Sequence, residues 1–173
     1  MAAHSVELLF DPGAEAAIHR EWVALAEAGL PSQAHHRSPS NRPHVTLTVA
    51  TRIDPAVDTA LGEPAGQLPL ESVIGAPMVF GHQSLTLVRL IVPSVGLLRL
   101  HAWVDAICAP HVADEPFAHV RPGRWTPHVT LARRMSPADL PAALEAIDAD
   151  DVVGAFAGLR RWDGEARIDT VIA

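Results

Sequence analysis

Pro43-His44-Val45-Thr46-Leu47 recurs without change as Pro127-His128-Val129-Thr130-Leu131. Chance gives a chain of 173 residues such a five-residue identity on the order of once in a hundred sequences, so the pair is read as the mark of a duplication. The surroundings repeat as well. Ser5 to Phe10 and Ser84 to Val92 both read as strands. A helical stretch follows each, from about Ala14 to Ala28 ending at Gly29, and from about Val95 to Ile107 ending before Pro110. Downstream of each pentapeptide, Asp54-Pro55 and Ser136-Pro137 place a capping residue before a proline suited to a first helical turn. Strand-like segments close each half: Leu70 to Phe80 in the first, Val152 to Trp162 with Ile168 to Ile172 in the second. Leu61 to Pro69, which holds two glycines and two prolines, is read as a loop. The expectation is one α+β domain over residues 1–173. Its two pseudo-symmetric β-α-β-α-β lobes, about 1–82 and 83–173, share one interface.

The pentapeptides carry the chemistry. Side chains on a strand alternate between faces. His44, Thr46 and Thr48 should therefore share one face, with Val45, Leu47 and Val49 packed beneath helices. The second copy likewise pairs His128 with Thr130 and buries Val129 and Leu131. Each motif then presents an imidazole beside a hydroxyl. Two such imidazoles across a cleft form an acid–base pair near neutral pH. The threonine hydroxyls can donate to non-bridging phosphate oxygens, and no metal is needed.

Composition narrows the partners. A net charge of −7 argues against an extended duplex, whose phosphates need many Lys and Arg. Positive charge is local instead: Arg37 and Arg42 flank the first motif, while Arg121, Arg124, Arg133 and Arg134 flank the second. That distribution suits a small anionic substrate or an RNA end. The single cysteine, Cys108, rules out an intramolecular disulfide. No signal peptide or membrane-length apolar run is found, and a reducing cytoplasm is expected. No Gly-x-x-x-x-Gly-Lys loop is present, which argues against an ATP-dependent kinase or ligase.

Paired His-x-Thr motifs, one per half of a duplicated α+β chain, resemble the 2H phosphoesterase superfamily. Within it they resemble the branch of 2′-5′ RNA ligase-like and RNA 2′,3′-cyclic phosphodiesterase proteins. The similarity spans nearly the whole chain and is strongest over Arg124-Trp125-Thr126-Pro127-His128-Val129-Thr130-Leu131-Ala132-Arg133. The resemblance implies antiparallel-rich sheets facing a central groove that holds the site, with no metal and no cofactor. It implies opening of a 2′,3′-cyclic phosphate on an RNA end or a small nucleotide to a 2′-phosphomonoester, with joining of RNA ends as a weaker activity. By position, His44 and His128 are the catalytic pair, the first usually the proton donor. Thr46, Thr130 and Arg133 hold the phosphate. Strict alternation points Arg133 away from His128 and puts Arg134 on its face; a bulge would turn Arg133 back.

Two other classes are carried beside this one, a non-catalytic module binding phosphorylated RNA ends and a metal-dependent hydrolase. His35-His36 is read as a solvated loop pair rather than a metal site. Ala109 to Gly123, with His111, Asp114, Glu115 and His119, is read as either an ordinary connection or a mobile cover. Phe10, Phe117, Trp125 and Trp162 are candidates to stack on a base, whereas His19, Trp22 and Trp103 are read as packing or surface residues.

Overall fold

The computed structural model describes residues 3–114, 117–148 and 150–173. Its described residues form seven strands and four α-helices. The first unit is strand β1 (His4–Phe10), helix α1 (Pro12–Glu27), strand β2 (His44–Ala50), helix α2 (Val57–Ala65) and strand β3 (Leu70–Phe80). The second is β4 (Leu85–Ile91), α3 (Val95–Cys108), β5 (His128–Met135), α4 (Leu140–Ala146) and β6 (Val152–Asp163), with β7 (Ile168–Val171) appended.

Local chemistry accounts for the helix ends. Asp11 caps α1 by accepting from the Gly13 and Ala14 amides at 2.7 and 3.0 Å, and Pro12 opens the helix. At its far end Gly29 adopts φ +74°. The Leu30 amide bonds the Leu25 carbonyl and the Gly29 amide bonds that of Ala26, the paired closure a left-handed glycine permits.

α2 departs from the sequence reading, because Leu61 to Ala65 is helical rather than loop. Val57, Leu61 and Ala65 lie four residues apart and are all buried, so one apolar stripe holds the helix against the core. Asp58 adds a bidentate pair with Arg161 of β6, at 2.6 and 2.9 Å. Burial of that stripe outweighs the poor propensity of Gly62 and Pro64.

All strand pairings are antiparallel, in the order β1-β2-β5-β4-β3-β6-β7, and β6 also pairs with β1. Six strands therefore close a ring. The sequence repeat and the sheets divide the chain differently. β3 leaves the first unit to pair with β4 of the second, and the Phe156–Trp162 part of β6 crosses back to pair with β1. Val152–Phe156 of β6 pairs with β3 and completes the closure. Opposite that seam, β2 and β5 meet only through Val45 and Val129 and then diverge. The helices cover the outer faces, and the divergence opens a cleft between the two pentapeptide strands.

Candidate active site

The cleft encloses about 720 Å³ and is lined by His44, Thr46, His128, Thr130 and Arg133, so the structure brings all five expected site residues to one cavity. Both histidines are anchored in the same way. His44 Nδ1 lies 2.7 Å from the Arg42 carbonyl oxygen, and His128 Nδ1 lies 2.7 Å from that of Thr126. Each carbonyl belongs to the residue before a proline, whose backbone is restricted to extended conformations. A carbonyl only accepts, so Nδ1 carries the hydrogen and Nε2 is the free nitrogen of each neutral ring.

A pair of matched bulges decides what stands beside the histidines. In β2 the register with β1 runs from Glu7–Thr46 to Val6–Thr48, leaving Leu47 as the extra residue. In β5 the register with β4 runs from Val88–Thr130 to Leu87–Ala132, leaving Leu131. Alternation therefore flips after each leucine. Thr48 is turned into the core, fully buried with its hydroxyl unpartnered, and Val49 lines the cleft in its place. The same flip turns Arg133 into the cleft, and Arg134, at φ +58°, does not line it. Val49 and Arg133 occupy equivalent positions of the repeat, one apolar and one cationic. Just before each bulge a tryptophan donates to a threonine carbonyl: Trp22 Nε1 to Thr130 at 3.0 Å and Trp125 Nε1 to Thr46 at 2.9 Å. These bonds satisfy backbone acceptors that a partly buried site could not leave bare.

Of the arginines that flank the motifs, Arg42 is tied to Glu15 at 2.6 and 3.1 Å. That hydrogen-bonded pairing holds Glu15 below the usual carboxylate range and Arg42 above its own. Arg42 therefore orients His44 through its carbonyl while its charge is spent elsewhere. Arg121 stands 4.0 Å from Asp105. Arg124 and Arg133 both reach the cleft. Burial pushes His128 below the ordinary histidine range, and the charges of Arg133, His119 and His44 push it further. Phe80 meets the His128 ring edge-on at 4.9 Å.

On the other wall, His44 Nε2 is 3.6 Å from Glu7 of β1. Ser5 donates to Glu7 at 2.6 Å, and Arg160 of β6 bonds the carboxylate at 2.8 Å. Burial pushes Glu7 up, but His44, Arg160 and the Ser5 hydroxyl outweigh it and hold the carboxyl below its usual range.

The stacking candidates separate. Phe10 is core, packed on Phe156 at 5.1 Å. Trp125 lines the cleft, but one face of its ring lies on His101 at 3.9 Å. Trp162 and the exposed Phe117 line the cleft. The loop before β5 is laced to the end of β2. Ile53 bridges Val112, the Asp54 amide bonds the His111 carbonyl, and the Phe117 amide bonds that of Val49. His119 reaches the cleft and Glu115 lies outside the described residues. His35 and His36 are both exposed, and His36 lines the rim of the cleft. Among the described residues no three His, Cys, Asp or Glu side chains group as a metal site, and no helix is long and apolar enough to cross a membrane.

The family model of the 2′-5′ RNA ligase superfamily matches residues 11–162. The chain belongs to this superfamily of 2H phosphoesterases. Solved structures of this 2H fold agree over nearly the whole length. TT0787 of Thermus thermophilus is similar at a TM-score of 0.61 and 19% identity, covering 99% of this chain and 95% of that one. LigT of E. coli, solved with 3′-AMP, gives 0.57 and 13%, covering 98% and 94%. Usb1 of Kluyveromyces marxianus gives 0.51 and 11%, covering 99% and 97%. No curated protein matches the chain in sequence.

Sequence reasoning passes over Glu7 and Arg160 in this 2H phosphoesterase. Their signal is partial: Glu7 stands between Val6 and Leu8, and Arg160 follows the mostly apolar run from Val152 to Leu159, and a charged residue buried in such a strand needs a partner. Trp22 reads from the sequence as packing, and its indole hydrogen bond to Thr130 is not visible without the fold.

Proposed function

We propose that this chain is a metal-independent phosphoesterase that opens 2′,3′-cyclic phosphates of RNA ends or small nucleotides to 2′-phosphomonoesters. The observation that carries the reading is the matched Nδ1–carbonyl anchoring, which leaves two free Nε2 atoms in one cleft. Acid and base follow from environments that differ. His128, held below the ordinary range, is neutral near pH 7 and takes the proton from the attacking water. The water oxygen bonds phosphorus as the bond to the 3′-oxygen breaks, and protonated His44 gives its proton to that departing oxygen. The product is a 2′-phosphate and a free 3′-hydroxyl. Proton exchange with solvent then restores both rings. With a 5′-hydroxyl in place of water, the same step joins two ends through a 2′-5′ linkage. Thr46 and Thr130 donate to the non-bridging oxygens, and Arg133 offsets their charge.

The chemistry of the donor set supports a reaction without metal, since imidazole and hydroxyl groups supply both proton transfers and charge stabilisation. The local cations Arg124 and Arg133 suit a short anionic end. Cys108 is buried, and its thiol is pushed up to about 12 by that burial, which makes it inert. A lone inert thiol fits a reducing cytoplasm.

The test is hydrolysis of 2′,3′-cyclic nucleotides and of a short RNA with a cyclic-phosphate end, in excess chelator. Turnover should survive the chelator and fall at least about a hundredfold in both His44→Ala and His128→Ala. Retained binding of phosphorylated RNA ends with no turnover on any of these substrates would favour a binding module instead.

A further inference from the structure

The two histidines are alike in backbone and anchoring, and beyond the Val49–Arg133 contrast a second difference separates them. At the register position opposite Thr46 stands Glu7; at the equivalent position opposite Thr130 stands Val88. A duplicated scaffold thus carries a carboxylate at one strand position, lining the cleft beside His44, and a buried valine that does not line the cleft at its counterpart. Glu7 is not a stray surface charge. It is 4% exposed, and Arg160, which bonds it, is 3% exposed and reaches on to Asp169 of β7 at 3.2 Å and to the Ser40 carbonyl at 3.0 Å.

The charges that face His44 from the surrounding elements are few. β1 contributes Glu7, and β6 contributes Arg160, bound to that carboxylate and to Asp169. The cleft also holds His128 and Arg133 of β5, His119 and Arg124 of the preceding loop, and His36 of the loop before β2. Arg42 is held by Glu15 on α1. Counting Glu7, Arg160 and Asp169 together leaves one negative charge, which a protonated His44 neutralises. The groups across the cleft are cationic or neutral, so among the described residues Glu7 is the anion in contact with this ring.

We infer that Glu7, braced by Arg160, is a positioning residue that keeps His44 as the proton-bearing member of the pair. No carboxylate stands at the equivalent position, Val88, so nothing there opposes the burial and the Arg133 charge that hold His128 as the acceptor. This inference rests on the two-histidine reading above but extends it to a residue that need not touch substrate. It ties the proton-bearing role of His44 to one strand position, beside the burial and the Arg133 charge that act on His128.

The experiment is an NMR titration of the imidazole nitrogens in the ligand-free protein, with pH–rate profiles recorded alongside. In the unsubstituted protein His44 should keep its second proton to higher pH than His128. Glu7→Gln should move the His44 midpoint down by roughly one unit or more and leave that of His128 nearly unmoved. Glu7→Asp should restore part of the shift. The alkaline limb of kcat should move down with Glu7→Gln, because the acid loses its proton earlier. A His44 midpoint that Glu7→Gln leaves in place would overturn the inference. So would a titration order reversed in the unsubstituted protein, a measurement that decides the matter even if the variant does not fold. Failure of turnover on every cyclic phosphate sinks the proposed reaction alone, since the titration needs no substrate.

Discussion

His44 and His128 are set by a hydrogen bond two residues back along the chain, so the sequence Xaa-Pro-His carries its own instruction for which ring nitrogen is free. Proline restricts the preceding residue to extended backbone, and the imidazole closes back onto that residue's carbonyl. Alternation in the pentapeptide put each imidazole beside a threonine, and the structure adds this anchor. Alternation misplaces the neighbour at the fifth position after each histidine, because Val49 and Arg133 face the cleft only through the bulges; the family resemblance alone named Arg133. Arg133→Gln removes the cation that acts on His128 and that, under the proposed reaction, offsets the charge of the phosphate. A drop of roughly tenfold to a hundredfold in kcat/KM is expected, the size of one charge-assisted hydrogen bond of about 1.5–3 kcal/mol. The sign of its pH effect follows from His128. Arg133 helps hold that ring below its ordinary range, so without it the base stays protonated to higher pH and the acid limb of the profile moves up. A pH–rate series on a 2′,3′-cyclic nucleotide checks both; an acid limb left in place would show that Arg133 does not act on His128.

At the scale of elements, period-two alternation located the strands and failed inside two of them. A single extra residue reverses every face beyond it. Leu47 and Leu131 do so because both they and their successors, Thr48 and Ala132, are buried. Nothing in Thr48 announces burial, since threonine suits either face of a strand. The limits of α2 were missed for a related reason. Gly62 and Pro64 are local signals for a break, whereas the stripe of Val57, Leu61 and Ala65 is rewarded only when the core is present to receive it. Leu61→Ala tests that account. Removing a fully buried leucine from the one stripe that holds α2 should cost about 2–5 kcal/mol in a urea unfolding curve. A cost below about 1 kcal/mol would mean that α2 is held chiefly by the Asp58–Arg161 pair.

For the whole molecule, the exchange of β3 and β6 has a consequence for folding. Cut at the repeat boundary, residues 1–82 would keep β1 and β2 but lose β6, leaving β1 with an open edge, and β3 would lose both its partners. Residues 83–173 would keep β4 and β5 but lack β3, and much of β6 would be unpaired. Exposed edges and half-covered apolar faces do not make a stable unit. Neither fragment is expected to unfold cooperatively alone, and mixing the two should recover cooperative unfolding, as followed by circular dichroism. Two fragments that each melted cooperatively would show that the lobes are separate folding units. The exchange also positions the site, because Arg160 arrives on the wall of the first unit from the last long strand of the chain, braced against Glu7.

The repeat, the strand and helix order, the α+β class and the pairing of each histidine with a threonine on one strand face were determined by the sequence alone. These rest on short-range rules: alternation along a strand, caps, prolines, and the identity of two pentapeptides. Only the tertiary structure decided which strands share a sheet, where alternation breaks, and which charges meet. Pairing partners lie up to about 150 residues apart, as Glu7 and Arg160 do, and their attraction exists only after burial has removed the water between them.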